Sequence, residues 1–267
     1  MTCTDINNSK SLGQVSGHIK KQIIGGKLSD DLVKDVVSCY NKLGNLLEDS
    51  LVAVRSSATA EDLPGASFAG QQETFLNVKG DAVLLEKIKE GWASLFDERA
   101  IFYRHQQKFD KIKIGIALVV QKMVESEKSG IMFTIDPVTN DKSKIVIEAI
   151  YGLGELIVQG QVNPDHYEIN KDALSILNKK INYQEFLLEK RGLENKKIKL
   201  SKEKGEKQKI TDKEIVELAV LGKQLEKHYY FPQDVEWAIE KNKIYLVQTR
   251  AVTTTKTEIK EIDESKL

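Results

Sequence analysis

VRSSATAEDLPGASFAGQQETFLNVK, Val54 to Lys79, sets a strand-end arginine ahead of a loop of small residues. Leu51 to Val54 is a short apolar run suited to a buried strand. It delivers Arg55 into Ser56, Ser57, Ala58 and Thr59, whose small side chains leave backbone N–H groups open to an anion. Asp62, Pro64, Gly65 and Gly70 punctuate the loop that follows. Glu73 to Val78 then resumes an extended pattern in which Phe75, Leu76 and Val78 are available to pack. The expected unit is strand, loop, strand, with the Arg55 guanidinium aimed at phosphate or carboxylate. Taken alone, the stretch reads equally well as a surface loop whose arginine pairs with a carboxylate.

The rest of the chain constrains that choice. Its 267 residues suffice for one large core or two modest ones, and 40% hydrophobic with 30% charged residues is ordinary for a globular protein. Forty Lys and Arg balance forty Asp and Glu, so there is no global electrostatic case for nucleic acid or an anionic membrane, and any anion site must be local. Cys3 and Cys39 are too few for a disulfide framework and lack metal-ligand spacing, which fits a reducing compartment. No apolar run is long enough to span a bilayer, and the polar start MTCTDINNSK is not a secretory signal. The expected location is the cytoplasm.

Met1 to Lys10 is polar, and Ser29 caps a predicted helix carrying Leu32, Val33, Val36, Val37, Tyr40 and Leu43 on one side. Asp81 to about Phe109 holds Leu84, Leu85, Ile88, Trp92, Leu95 and Phe96 at helical spacing, as one long helix or two consecutive ones. From Ile114 the pattern changes to strands, at Ile116–Met123, Ile131–Ile135 and Ile145–Ile150. The expected division is therefore a first lobe over 1–113, a second, sheet-rich lobe over 114–255 and a polar tail over 256–267. The lysine-rich run Lys179–Lys209 reads as exposed strands and loops with a solvated face. Thr211 and Glu214 form a capping box opening a helix to about Tyr229.

Val235–Ile239 and Ile244–Val247 flank Lys241 and Asn242 as a β-hairpin would. Side chains alternate faces along a strand, so Asp234, Glu236 and Ala238 share one face of the first strand. Gln248 and Arg250 share a face of the second, and hairpin pairing brings Glu236 near Gln248. Carboxylate with amide oxygen is a hard-donor set suited to Mg²⁺, which keeps waters and takes its remaining ligands from phosphates. The plainer reading is a hairpin with polar residues facing water.

The opening run, SGIMFTIDPVT at Ser129–Thr139, IEAIYGLGELIVQGQVNPDHY at Ile147–Tyr167, QDVEWAIE at Gln233–Glu240 and YLVQTRAVT at Tyr245–Thr253 occur in order. Together they resemble the nucleotide-binding domain of the phosphoenolpyruvate synthase (pyruvate, water dikinase) and pyruvate phosphate dikinase family, which includes rifampicin phosphotransferases. The resemblance implies an α+β, ATP-grasp-like fold of two lobes that hold ATP between them. It implies nucleotide contacts from Arg55, Gly70, Thr74, Gln121, Glu236, Gln248 and Arg250. Arg55 and Arg250 would act in catalysis by balancing phosphate charge. Glu236 and Gln248 would hold Mg²⁺, with Asp234 as a further metal ligand or a residue orienting one. ATP is the implied substrate.

In that family a histidine on a swivelling domain takes the phosphoryl group and a further domain passes it to pyruvate. His18, His105, His166 and His228 lack the glycine- and threonine-rich context of such a histidine, so both domains are expected outside this chain. His166, in NPDHYEI, is expected to orient a loop. Gly25, Gly26 and Lys27 imitate the family's phosphate-reaching lysine, but the interval to Arg55 is much too short, so the first lobe is expected to be N-terminally incomplete. The implied function is the Mg-ATP-binding portion of an enzyme converting ATP, pyruvate and water to AMP, phosphoenolpyruvate and phosphate. A rifampicin phosphotransferase fragment and a non-catalytic nucleotide-binding or split-enzyme assembly module are the alternatives.

Overall fold

A computed structural model describes residues 8–44, 49–58, 74–106, 114–192 and 194–252. The expected polar tail lies outside these residues. The chain divides into two units, Met1–Met123 and Val124–Leu267.

In the first unit, β1 (Val52–Ala58) is the centre of a three-stranded antiparallel sheet, between β2 (Thr74–Val78) and β3 (Ile116–Lys122). Val52 and Val54 are fully buried and cluster with Leu84 and Ile88 of α3 (Asp81–Ala93), with Leu118 and Val120 of β3 packed against them. The helix lies close on the sheet at Gly91, where a Cβ would come within 2.7 Å of Leu118 Cδ2. Two further helices, α1 (Ser9–Gly25) and α2 (Asp30–Asn41), are N-capped by Asn8 and Ser29. Tyr40, buried near the end of α2, donates its hydroxyl hydrogen to Ser50 O at 2.6 Å and accepts the Gly80 N–H at 2.9 Å. It thereby ties α2 to the segments that lead into β1 and α3. A 3₁₀ turn at Ser94–Phe96 separates α3 from α4 (Glu98–Gln106), so the helical pattern from Asp81 is two consecutive helices.

The expected boundary at 113/114 needs correction. β3 pairs with β1 over its whole length, from Val52↔Lys122 to Ala58↔Ile116, and Met123 N donates to Leu51 O at 2.9 Å. The change from helical to strand pattern marks a return to the first sheet, and that unit runs on to Met123.

The second unit is built on a six-stranded antiparallel sheet of order β11-β10-β4-β5-β6-β7. Its strands are β4 (Lys128–Phe133), β5 (Lys144–Tyr151), β6 (Asp165–Asn170), β7 (Ile176–Lys180), β10 (Gln233–Glu240) and β11 (Lys243–Ala251). One face packs on α7 (Asp212–Tyr229): Ile215, Leu218 and Ala219 meet Met132, Ile145, Ile147, Tyr167, Val235 and Trp237. Gly130 is required there, because a Cβ would lie 2.4 Å from Trp237 Cζ2 and 1.8 Å from Glu148 O. Ile150, whose side chain takes the opposite face, clusters with Leu153, with Leu156 of α5 (Glu155–Val158) and with Leu188 of β8 (Phe186–Arg191). β8 pairs with β9 (Glu194–Lys199), and α6 (Lys202–Glu206) follows.

The capping box at Thr211 and Glu214 is present, and Lys128 Nζ donates to both Glu214 carboxylate oxygens at 2.7 and 2.9 Å. Lys241 and Asn242 both have left-handed φ, 49° and 63°, as the two central residues of a type I′ hairpin turn require. The lysine-rich run departs from its expected solvated character at one end. Lys209 is 1% exposed, and its ammonium lies 2.9 Å from Asp165, whose side chain is fully buried.

Candidate functional site

Val52 and Val54 point into the first core, so Ala53 and Arg55 take the other face of β1. Residues directly opposite across antiparallel strands share a face. Arg55 is opposite Thr74 on β2 and Val119 on β3, and Ala53 is opposite Gln121. Arg55, Thr74 and Gln121 are therefore assembled on the face turned away from α3, where Val119 is 50% exposed. Gly70 lies outside the described residues, as do the other residues from 59 to 73. Lys27 lies between α1 and α2, exposed and 3.2 Å from Asp30.

In the second unit Val235, Trp237 and Ile239 are buried against α7, which leaves Asp234 and Glu236 on the far face of the sheet. Glu236 is directly opposite Gln248 and Asp234 directly opposite Arg250. Arg250 Nε donates to Asp234 Oδ2 at 2.8 Å. Burial pushes the Asp234 carboxyl above the usual carboxylate range although the guanidinium opposes the shift. Asp234 is thus engaged with Arg250, and beside it Glu236 and Gln248 set a carboxylate and an amide on the same face. Among the described residues no three His, Cys, Asp or Glu side chains converge as a metal cage. One carboxylate and one amide oxygen fit Mg²⁺ in a shell completed by water and phosphate oxygens.

The same face extends across the sheet. Glu236 is opposite Ile131, Ile131 opposite Glu148, and Glu148 opposite His166. His166 sits within β6, its Nδ1 3.8 Å from Glu148 Oε1, and that carboxylate raises the imidazole pKa. Glu148 escaped the sequence reading; its signal is a single charge inside the otherwise apolar run IVIEAI.

The GLGE segment is held from several sides. Gly152 has φ 85° and would place a Cβ 2.5 Å from Leu188 O. Gln184, fully buried, accepts the Tyr151 N–H at 2.9 Å and donates to Tyr151 O at 3.0 Å, pairing with that residue as a neighbouring strand would. Burial raises the pKa of Glu155, which accepts a hydrogen bond from Asn195 Nδ2 at 3.0 Å. No described helix is long and apolar enough to cross a membrane.

A family model described as pyruvate phosphate dikinase, AMP/ATP-binding domain, matches residues 1–267. A probable phosphoenolpyruvate synthase of Methanocaldococcus jannaschii is 47% identical over 256 residues, covering 94% of this chain and 22% of the relative. The phosphoenolpyruvate synthase of Pyrococcus furiosus is 45% identical over 266 residues, 96% of this chain and 33% of the relative. A rifampicin phosphotransferase of Bacillus cereus is 42% identical over 252 residues, 93% of this chain and 28% of the relative. The chain therefore spans a third or less of the length of these curated relatives.

Proposed function

The chain belongs to the pyruvate phosphate dikinase AMP/ATP-binding domain family, and from that premise we propose that it is the ATP-grasp-type, Mg-ATP-binding portion of a phosphoenolpyruvate synthase. The parent reaction would be ATP, pyruvate and water giving AMP, phosphoenolpyruvate and phosphate. The observation that carries the reading is the pairing of Glu236 with Gln248 and of Asp234 with Arg250 on one sheet face. An oxygen-donor pair thus stands beside a guanidinium held by a carboxylate.

In the first unit we assign Arg55 to phosphate charge, Thr74 to a hydroxyl contact and Gln121 to the nucleotide's polar atoms; Gly70 is assigned a close backbone approach on the family resemblance alone. In the second, Glu236 and Gln248 would hold Mg²⁺, Arg250 would balance phosphate charge, and Asp234 would orient Arg250. Bound Mg²⁺ supplies charge neutralisation on the phosphates. Phosphoryl transfer asks little more of a protein than positioning and charge compensation, so a set of arginines and amides suffices without a nucleophile on this chain. The acceptor histidine and the pyruvate site are assigned outside residues 1–267. The rifampicin phosphotransferase relative supports a second reading in which the same nucleotide face serves another acceptor.

Isothermal calorimetry with ATP and Mg²⁺ tests the assignment. The chain is expected to bind, and Arg55→Ala and Glu236→Ala each to weaken binding by about tenfold or more, the scale of a charge-assisted contact. Absence of binding by the parent chain, or affinities unchanged in both variants, would overturn it.

A further inference from the structure

The hairpin leaves its two-residue turn in regular register, Glu240↔Lys243, Ile239↔Ile244, Ala238↔Tyr245 and Trp237↔Leu246. Continued unchanged, that ladder would set Val247 opposite Glu236, Gln248 opposite Val235 and Arg250 opposite Gln233. Gln248 and Arg250 would then share the face of Val235 and Trp237, which packs on α7, while Val247 and Thr249 would take the face of Glu236. A slip of one residue reverses every side chain. The structure instead shifts register between Glu236 and Trp237, with Val247 as the extra residue of a β-bulge, and from there Glu236 meets Gln248 and Asp234 meets Arg250.

A polar contact sits just beyond the bulge. Thr249 Oγ1 donates to Gln233 Oε1 at 2.9 Å. Gln233 is 2% exposed and already fixed, since its Nε2 donates to Phe231 O at 2.9 Å and its backbone N–H to Thr134 Oγ1 at 2.8 Å. Thr134 is itself fully buried. In the unshifted ladder Thr249 would lie opposite Asp234 on the other face. Gln233 Oε1 would lose the Thr249 hydroxyl as donor, and the Arg250 guanidinium would be carried to the α7 side.

We propose that the Thr249–Gln233 contact is a positioning element that selects the bulged register and so brings Gln248 and Arg250 onto the face of Glu236 and Asp234. Its consequence for ligand binding rests on the Mg-ATP reading of that face; the register selection does not.

Disulfide trapping reads the register directly, in a chain carrying Cys3→Ser and Cys39→Ser. Glu236→Cys with Gln248→Cys reports the bulged ladder and Glu236→Cys with Val247→Cys the unshifted one. Adding Thr249→Val is expected to lower the ratio of the first crosslink to the second by about tenfold, the scale of one buried acceptor left without its donor. Thr249→Ser should preserve the ratio.

Calorimetry on chains with the site residues intact gives the second readout. Thr249→Val should weaken Mg-ATP binding by about tenfold and Thr249→Ser by less than about twofold. Deleting Val247 leaves Glu236 opposite Gln248 in an unbroken ladder, so Thr249→Val in that background should cost less than about twofold. An unchanged crosslink ratio in Thr249→Val, or an equal loss of affinity in both backgrounds, overturns the proposal. If the deletion variant does not fold, the crosslink ratio decides. A ratio that moves as expected in a chain that does not bind Mg-ATP would uphold the register assignment and reject the nucleotide reading.

Discussion

Lys209 shows how far a single residue can depart from its surroundings in sequence. Nothing in KEKGEKQKI distinguishes it from the lysines before it, which suit a solvated face. Its ammonium nevertheless pairs with Asp165 and donates to the carbonyl oxygens of Asn182 and Gly205. Asp165 in turn accepts the Tyr167 hydroxyl at 2.8 Å, the Asn182 N–H at 3.0 Å and the Lys209 N–H at 2.9 Å. Burial, with this carboxylate beside it, pushes the Tyr167 phenol far above its usual range. The partners stand 44 positions apart in sequence, beyond the reach of any local pattern. Removing one member of a buried pair leaves an uncompensated charge, so Lys209→Met should lower stability by about 3–5 kcal/mol in urea denaturation. Adding Asp165→Asn should recover part of that loss, because no buried charge then remains. A cost below about 1 kcal/mol for Lys209→Met would show that the pair does not hold β6 to the segment before α7.

Elements whose instructions are local were legible. Thr211 and Glu214 announce α7, whose buried face carries Ile215, Leu218 and Ala219. The Lys241–Asn242 turn likewise announces its hairpin. β3 was visible as a strand, but which sheet it joins is decided by non-local hydrogen bonds to β1, so the unit boundary was misplaced. The Val247 bulge was legible in principle by counting residues back from the turn, yet face alternation within each strand does not reveal it. The α7 cap also sets a pH dependence. Burial works against ionisation of Glu214, but Lys128, the Thr211 N–H and the Thr211 hydroxyl outweigh it and hold the carboxyl below the ordinary value of 4.5. A depressed carboxyl stabilises the fold fully above its unfolded pKa, and that contribution is lost as pH falls through the folded value. Glu214→Gln should therefore be less stable than the parent at pH 7 by about 1–2 kcal/mol. The gap should narrow as pH drops below 4.5, read as thermal midpoints across an acid series. A gap that stays constant down to pH of about 3 would mean that the carboxylate charge contributes nothing there.

For the molecule as a whole, each unit has its own buried cluster, and each carries part of the proposed nucleotide-binding set. Arg55, Thr74 and Gln121 belong to the first unit, and Asp234, Glu236, Gln248 and Arg250 to the second. Strand alternation and the family resemblance both pointed to the second group, whereas Thr74 and Gln121 rested on the resemblance alone; the Asp234–Arg250 ion pair was not legible, since it depends on the pairing of two strands. If both groups contact nucleotide, Mg-ATP must stabilise both units, because a ligand that binds only the native state adds its binding free energy to whatever it holds in place. At a free concentration of about one hundred times Kd, that amounts to about 2.7 kcal/mol. Hydrogen exchange with and without Mg-ATP should then slow in β1 and β3 and, separately, in β10 and β11, while ATP with a chelator should leave β10 and β11 largely unprotected. Protection confined to one unit would remove the other unit's residues from the nucleotide assignment. Protection of β10 and β11 that persists without Mg²⁺ would reassign Glu236 and Gln248 from metal binding to direct contact with the nucleotide.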